Sequence, residues 1–229
     1  MFKAEVQNGD FLDHLAKVTG QIQSLCKTDE FDFLPLANKP GRYFSALPID
    51  SQIDVLNRLD ALLNACLSCQ SEGISFKNQA MLSWKILKSM GFTPTSDCFG
   101  RLKEDDLIQI YNLRNQLIFA SLNFFKLVSY SLEELYCCSW MELFTRDPQI
   151  TQTLYEYAMK VMDPSSDRTL EVPVPQHLVT ETRAFHQSGI VKGGFFSPIY
   201  ENGKVAGFLS SQQLAHVVNQ RRPLPSLDK

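Results

Sequence analysis

Positive charge is what this chain most plainly lacks: 22 Lys and Arg stand against 25 Asp and Glu, a net charge of −3 at pH 7. Without a basic footprint, direct contact with nucleic acid or an anionic membrane surface is not expected. The pair Arg221-Arg222 is too small to hold phosphates alone. No run approaches the roughly 18 uninterrupted apolar residues of a spanning helix. The opening stretch "MFKAEVQNGDFLDHL" has acids and polar residues where a signal peptide needs an apolar block. A cytoplasmic protein is the expectation. Internal repeats and low-complexity tracts are missing too. His14, His177, His186 and His216 are not spaced with carboxylates or cysteines as a metal or nucleophile set. There is no Gly-x-Ser-x-Gly elbow, and "GIVKGGFF" lacks the spacing and following helix of a phosphate loop. No enzyme chemistry is expected.

Cysteine is present but unpatterned. Cys26, Cys66, Cys69, Cys98, Cys137 and Cys138 are scattered through a mid-sized chain, so reduced thiols filling a core are expected. Cys66-Leu-Ser-Cys69 has CxxC spacing but falls toward the C-terminal end of an expected helix, where the helix dipole disfavours thiolate. Zinc would need two further ligands, and no second CxxC or paired histidines supply them.

What remains is ordinary for a globular protein: 229 residues, 44% apolar and 21% charged, enough for one substantial core or two small ones. Phe11, Leu12, Leu15, Val18, Ile22 and Leu25 share a helical face over about 10–25. "TDEFDFLPLANKPGRYFSALP" reads as an ordered loop. A second helix is expected from Ser51, with Ser51 and Asp54 as a capping box, a stripe of Ile53, Leu56, Leu59, Leu63 and Leu67, and Gly73 as its stop. A third runs from Ser75 to Met90, with Phe76, Ala80, Trp84 and Leu87 on one side and Gly91 closing it. The charged, turn-rich "FTPTSDCFGRLKEDD" reads as a seam.

Beyond the seam the texture changes. "LIQIY" and "QLIFAS" read as two strands about a turn, followed by short helical pieces "LNFFKLV", "SLEELY" and "WMELF". Asp147-Pro148 opens a better helix, with Ile150, Leu154, Tyr157, Ala158 and Val161 on its buried face. "TLEVPVP", "LVTETRAF" and the hairpin "GGFFSPIYENGKVAGFLSS" are β-like. Gly193-Gly194 marks a bulge and Asn202-Gly203 a two-residue turn. Strands at both ends with helices between make an antiparallel sheet with helices on one face, an α+β layout. Three regions follow: a helical stretch over 1–104, an α+β unit over 105–214 and a tail over 215–229.

The α+β unit resembles a PAS domain, the common sensory module, over roughly residues 105–214. Such domains show a strand ending in Asn, then Phe, then a Gly-Tyr-Ser turn into a Glu-Glu-Leu helix. Phe124, Tyr130, Ser131, Glu133, Glu134 and Leu135 fall in those places. Ser121 replaces the Asn, where its hydroxyl can do part of the amide's backbone bridging. Ser129 replaces the Gly, which removes easy access to positive φ. "SPIYENGKVAGFL" is similar to the family's closing hairpin.

The resemblance implies a five-stranded antiparallel sheet with a pocket between sheet and helices, and a sensory or regulatory role without chemistry of its own. Phe119, Phe124, Trp140, Phe144, Tyr157, Tyr200 and Phe208 are the aromatics that would line the pocket; packing the core is their plainer role. His186, in an expected strand, would face the pocket and bind a ligand or haem, or else meet solvent or a neighbour. Flavin is not expected: aligned from Tyr130, the reactive cysteine of light-sensing members falls at Trp140, and Cys137-Cys138 lack the surrounding pattern. No cofactor is expected. The resemblance further implies a small-molecule signal, a homodimer, and an output domain or partner chain, as in the sensor half of a transcription or signalling regulator; the amino-terminal helices either pair in that dimer or flank the sheet and pack on the same core. An interaction module without a ligand, or a secreted effector on the same scaffold, is the alternative.

Overall fold

The computed structural model describes residues 2–183 and 187–218, with side chains from residue 9 onward. Its amino-terminal part is helical. In α1 (Phe2–Cys26), Leu15, Val18, Ile22 and Cys26 recur at helical spacing and are buried against α3 (Ile49–Ser71). The aromatic loop between them is ordered, with a short α2 (Arg42–Ser45), and Phe33 stacks on Phe125 at 4.3 Å.

Helix α3 departs from its expected frame. It starts at Ile49 after Pro48, so Ser51 is already inside it, and Asp54 pairs with Arg58 one turn on at 3.1 Å instead of capping. Val55, Leu59, Leu62, Cys66 and Cys69 turn inward, whereas Ile53 and Leu67 of the expected stripe are exposed. Helix α4 (Gln79–Ser89) begins at Asn78, whose side-chain oxygen accepts the Met81 N–H at 3.0 Å. It buries Leu82, Ile86 and Leu87. Trp84, expected inside, is exposed, and the Lys88 ammonium lies 4.9 Å over its ring. Gly73 and Gly91 take φ of 68° and 76° just past α3 and α4, as a helix stop requires.

The seam carries β1 (Thr93–Pro94) and α5 (Cys98–Arg101). There follow β2 (Asp106–Asn112), β3 (Leu117–Ala120), a 3₁₀ turn (Leu122–Lys126), α6 (Leu132–Cys137), α7 (Trp140–Leu143), β4 (Phe144–Thr145) and α8 (Pro148–Val161). The chain then makes β5 (Leu170–Glu171), β6 (His177–Glu181), β7 (Ser188–Glu201) and β8 (Lys204–Val217). All strand pairs are antiparallel, in the order β3-β2-β8-β7-β6-β4. Beyond the stretch that pairs with β6, the same edge of β7 pairs with β5 and then β1. The fold is α+β with a curled antiparallel sheet.

The sheet has three strands of two residues each among the described residues: β5 lies within the β-like "TLEVPVP", whereas β1 and β4 fall in the expected seam and in an expected helical piece. Cover is on both faces. Gln109 and Tyr111 of β2 face α8, while the alternating Ile108 and Ile110 point the other way and are fully buried. The amino-terminal helices supply that second layer: α4 approaches β1 and β2, and α3 approaches β3. Residues from α1 to β8 form one continuous apolar core.

The long hairpin β7–β8 turns at Asn202 and Gly203, with φ of 51° and 75°, as a two-residue type I′ turn needs. Its register steps from Lys192 opposite Gln213 to Phe195 opposite Ser211, leaving Gly193 and Gly194 as a bulge. A Cβ on Gly194 would sit 1.8 Å from the Ser211 carbonyl oxygen, which only glycine avoids. Strand β8 continues to Val217, into the stretch expected as tail; residues 219–229 lie outside the described residues.

The two serines that stand where the resemblance expects Asn and Gly have local partners. Ser121 is fully buried, and its hydroxyl accepts the Ile108 N–H at 3.0 Å. Ser129 does not adopt positive φ; its hydroxyl donates to Glu181 at 2.8 Å. Ser131 and Glu134 form a full capping box at the start of α6.

Candidate functional site

Strand alternation places Gln109, Tyr111, Phe196, Phe208, Ser210 and Gln212 on one face of the sheet. The register confirms it: Gln109 is opposite Ser210, Tyr111 opposite Phe208, and Phe196 opposite Ser210. Helix α8 lies over this face, positioned by the Asp147 side chain, which accepts the Gln149 and Ile150 N–H groups at 2.8 and 3.2 Å. Between them is a cavity of about 210 Å³. Leu154, Ala158 and Met162 form its roof, with the half-exposed Tyr155 and Met159 at the rim.

The floor is aromatic. Tyr111 stacks on Phe208 at 5.2 Å, and Phe196 lies 5.3 Å from Phe208. Burial pushes the Tyr111 phenol well up, against the opposing pull of the Arg146 charge and of Gln109. The phenol is therefore neutral at physiological pH.

Arg146, between β4 and α8, completes the wall. Its guanidinium lies 5.3 Å from the Trp140 ring centre and 5.9 Å from that of Phe144. The arginine ion pairs of the described residues use Arg58, Arg101 and Arg183 and leave Arg146 without a carboxylate. Its Nε is buried without a hydrogen-bond partner. Burial pushes its pKa down to about 10, partly offset by Tyr111, so it stays charged near neutrality.

Of the aromatics expected to line a pocket, Trp140 and Phe208 border this one. Phe144 does not border it; its ring is edge-on to Phe124 at 5.7 Å and to Tyr130 at 5.6 Å. Phe119 and Phe124 are core residues away from the cavity. Tyr157 is on α8 with the Lys160 ammonium 4.3 Å over its ring, and the Tyr200 hydroxyl donates to the Ser166 carbonyl at 2.9 Å; neither borders the cavity. His186 lies outside the described residues.

Gln109, Tyr111 and Arg146 escaped the sequence reading. A trace of the first was available, because Gln109 interrupts the apolar run "LIQIY" and a strand buried on both faces rarely carries an amide. Arg146 had no such trace.

Among the described residues, no group of three or more His, Cys, Asp or Glu is arranged to hold a metal. Cys66 and Cys69 are buried in α3. The thiol of Cys66 is pushed well up by hydrogen bonding with Cys26 and by burial, and burial lifts Cys69 to about 11. Neither is a ready thiolate. No helix of the described residues is long and apolar enough to cross a membrane. The chain matches no family model and no curated protein. What the cavity lining offers is binding chemistry: stacked rings, buried amide and hydroxyl groups, and a guanidinium that no carboxylate of the described residues pairs.

Proposed function

We propose that this chain is a PAS-like sensory or regulatory module whose cavity, between α8 and the sheet, receives a small-molecule signal. The observation that carries the reading is the cavity itself, with its aromatic floor under an amphipathic helix. The order of elements supports it: two strands, short helices and the two-residue β4, a longer helix, then the two-residue β5 and three longer strands, with the Tyr130-Ser131 turn and the Glu133-Glu134-Leu135 helix in between. A ligand held under Leu154 and Ala158 favours one packing of α8 over another, and α8 passes that preference to a partner chain or output domain. Native mass spectrometry of the purified protein tests this. A small molecule retained by wild type and lost from A158F, whose added ring fills the roof, supports the reading. A cavity that stays empty and binds nothing from a broad ligand screen ends it. A visible absorbance band would overturn the expectation of no chromophore.

A second reading rests on α3. Ile49, Ile53 and Leu67 are exposed and fall along one line of the helix, a surface suited to an interaction module or a homodimer. Light scattering of wild type and I53D separates this reading: a dimer lost in I53D supports it, and a monomer at all concentrations removes the homodimer.

A further inference from the structure

We propose that the ligand of this cavity is a small organic anion, an aromatic or short-chain carboxylate, whose carboxylate is held by Arg146 while its apolar body lies on the Tyr111–Phe208 floor. This rests on reading the cavity as the ligand site.

Charge balance is the first argument. Two arginines, Arg146 and Arg114, border the cavity, and no Asp or Glu of the described residues does. A half-buried guanidinium set among rings, with its Nε buried and unpartnered, loses hydration at that nitrogen without gaining a counterion. An anion entering the cavity supplies that counterion and is attracted strongly, because the surroundings screen poorly.

Geometry is the second. Trp140 and Phe144 engage the ring-facing side of the guanidinium, and its in-plane N–H groups are the ones that pair with a carboxylate. Size and polarity are the third. At about 210 Å³ the space is smaller than a drug-sized pocket, so the ligand is small. The aromatic floor sets its body as apolar and flat. Gln109, Ser210 and Gln212, buried on the same face, add neutral hydrogen-bonding groups that can orient it.

The test uses fluorescence. Trp84 and Trp140 are the two tryptophans, and Trp84 is exposed on α4, so W84F leaves Trp140 as the reporter in the cavity wall. The full-length W84F protein is titrated at pH 7.5 with phenylacetate, benzoate and hexanoate. Phenylacetamide and benzylamine serve as neutral and cationic counterparts. The acids are expected to change Trp140 fluorescence and to bind about ten- to a hundredfold more tightly than the amide, the worth of a charge-assisted pair. R146Q removes that preference and R146K keeps part of it.

Amide or amine binding as tightly as acid overturns the anion inference while the cavity reading stands. So does acid binding left unchanged by R146Q. No binding of any probe up to about 10 mM overturns both. If R146Q does not fold, A158F takes its place: acid binding that survives a filled cavity is binding elsewhere and also ends the proposal.

Discussion

Glu133 shows how a single side chain can join distant parts of the chain. Fully buried, its carboxylate accepts the N–H groups of Ala37, Gly41, Tyr43 and Phe44 at 3.2, 3.1, 2.9 and 3.3 Å, tying the aromatic loop and the start of α2 to α6. Each is a charge-assisted bond, and removing the acceptor leaves buried donors without partners. E133A is therefore expected to destabilise the protein by about 3–5 kcal/mol, read as a lower urea midpoint. A loss below about 1 kcal/mol would mean that water replaces the carboxylate freely. His177 sets a pH dependence. Its Nδ1 lies 2.9 Å from the Pro175 carbonyl, its Nε2 is buried without a partner, and burial lowers its pKa; the Pro175 hydrogen bond and Asp147 oppose this and Arg146 adds to it. A depressed folded-state pKa means the unfolded chain binds the proton more readily, so stability is full above the unfolded value near 6.5 and declines as pH falls toward the folded value. Melting temperature should drop between pH 7 and pH 5, and H177N should flatten that slope. An unchanged slope would assign the effect to other groups.

At the scale of elements, the β7–β8 hairpin depends on its bulge. G194A would drive a methyl into the Ser211 carbonyl 1.8 Å away, between two strands that cannot separate without losing their ladder. A loss of more than about 2 kcal/mol is expected. G203A should cost less, because Gly203 has open space around it and only its φ of 75° is strained. The reverse ranking would show that the turn, not the bulge, governs the hairpin. Elements with local signals were legible in the sequence: Asn202-Gly203 for the turn, Gly193-Gly194 for the bulge, Asp147-Pro148 for the start of α8. Strand β5 was legible as part of the β-like "TLEVPVP", but β1 was not, because two residues have no period, and it pairs only because β7 outruns β6. The rotation of α3 was hidden for another reason. Its apolar residues surround more than one face, and tertiary packing chose Val55, Leu62 and Cys69 over Ile53 and Leu67. The cavity was legible only in its aromatics. That Arg146 lacks a carboxylate follows from the surroundings of α8, which no local pattern encodes.

For the whole molecule, the question is whether the helical amino-terminal part and the sheet unfold together. One apolar core runs through both. Polar ties cross between them at several places besides Glu133. The buried Arg58 of α3 donates to the Leu117 carbonyl of β3, the Gln79 side-chain oxygen of α4 accepts the Leu122 N–H at 2.6 Å, and the Thr95 hydroxyl lies 2.6 Å from that of Ser197 in β7. Severing the two parts would expose Ile108 and Ile110 of β2, both fully buried, and orphan each of these groups. Neither part keeps an intact surface without the other, so a single cooperative transition is expected, with calorimetric and van't Hoff enthalpies equal. A chain beginning at residue 105 should lack a sharp melting transition and bind a hydrophobic dye. If that shortened chain instead melts cooperatively near the full-length temperature, the helical part is an attached layer, and a signal in the cavity would have to reach it by some route other than shared packing.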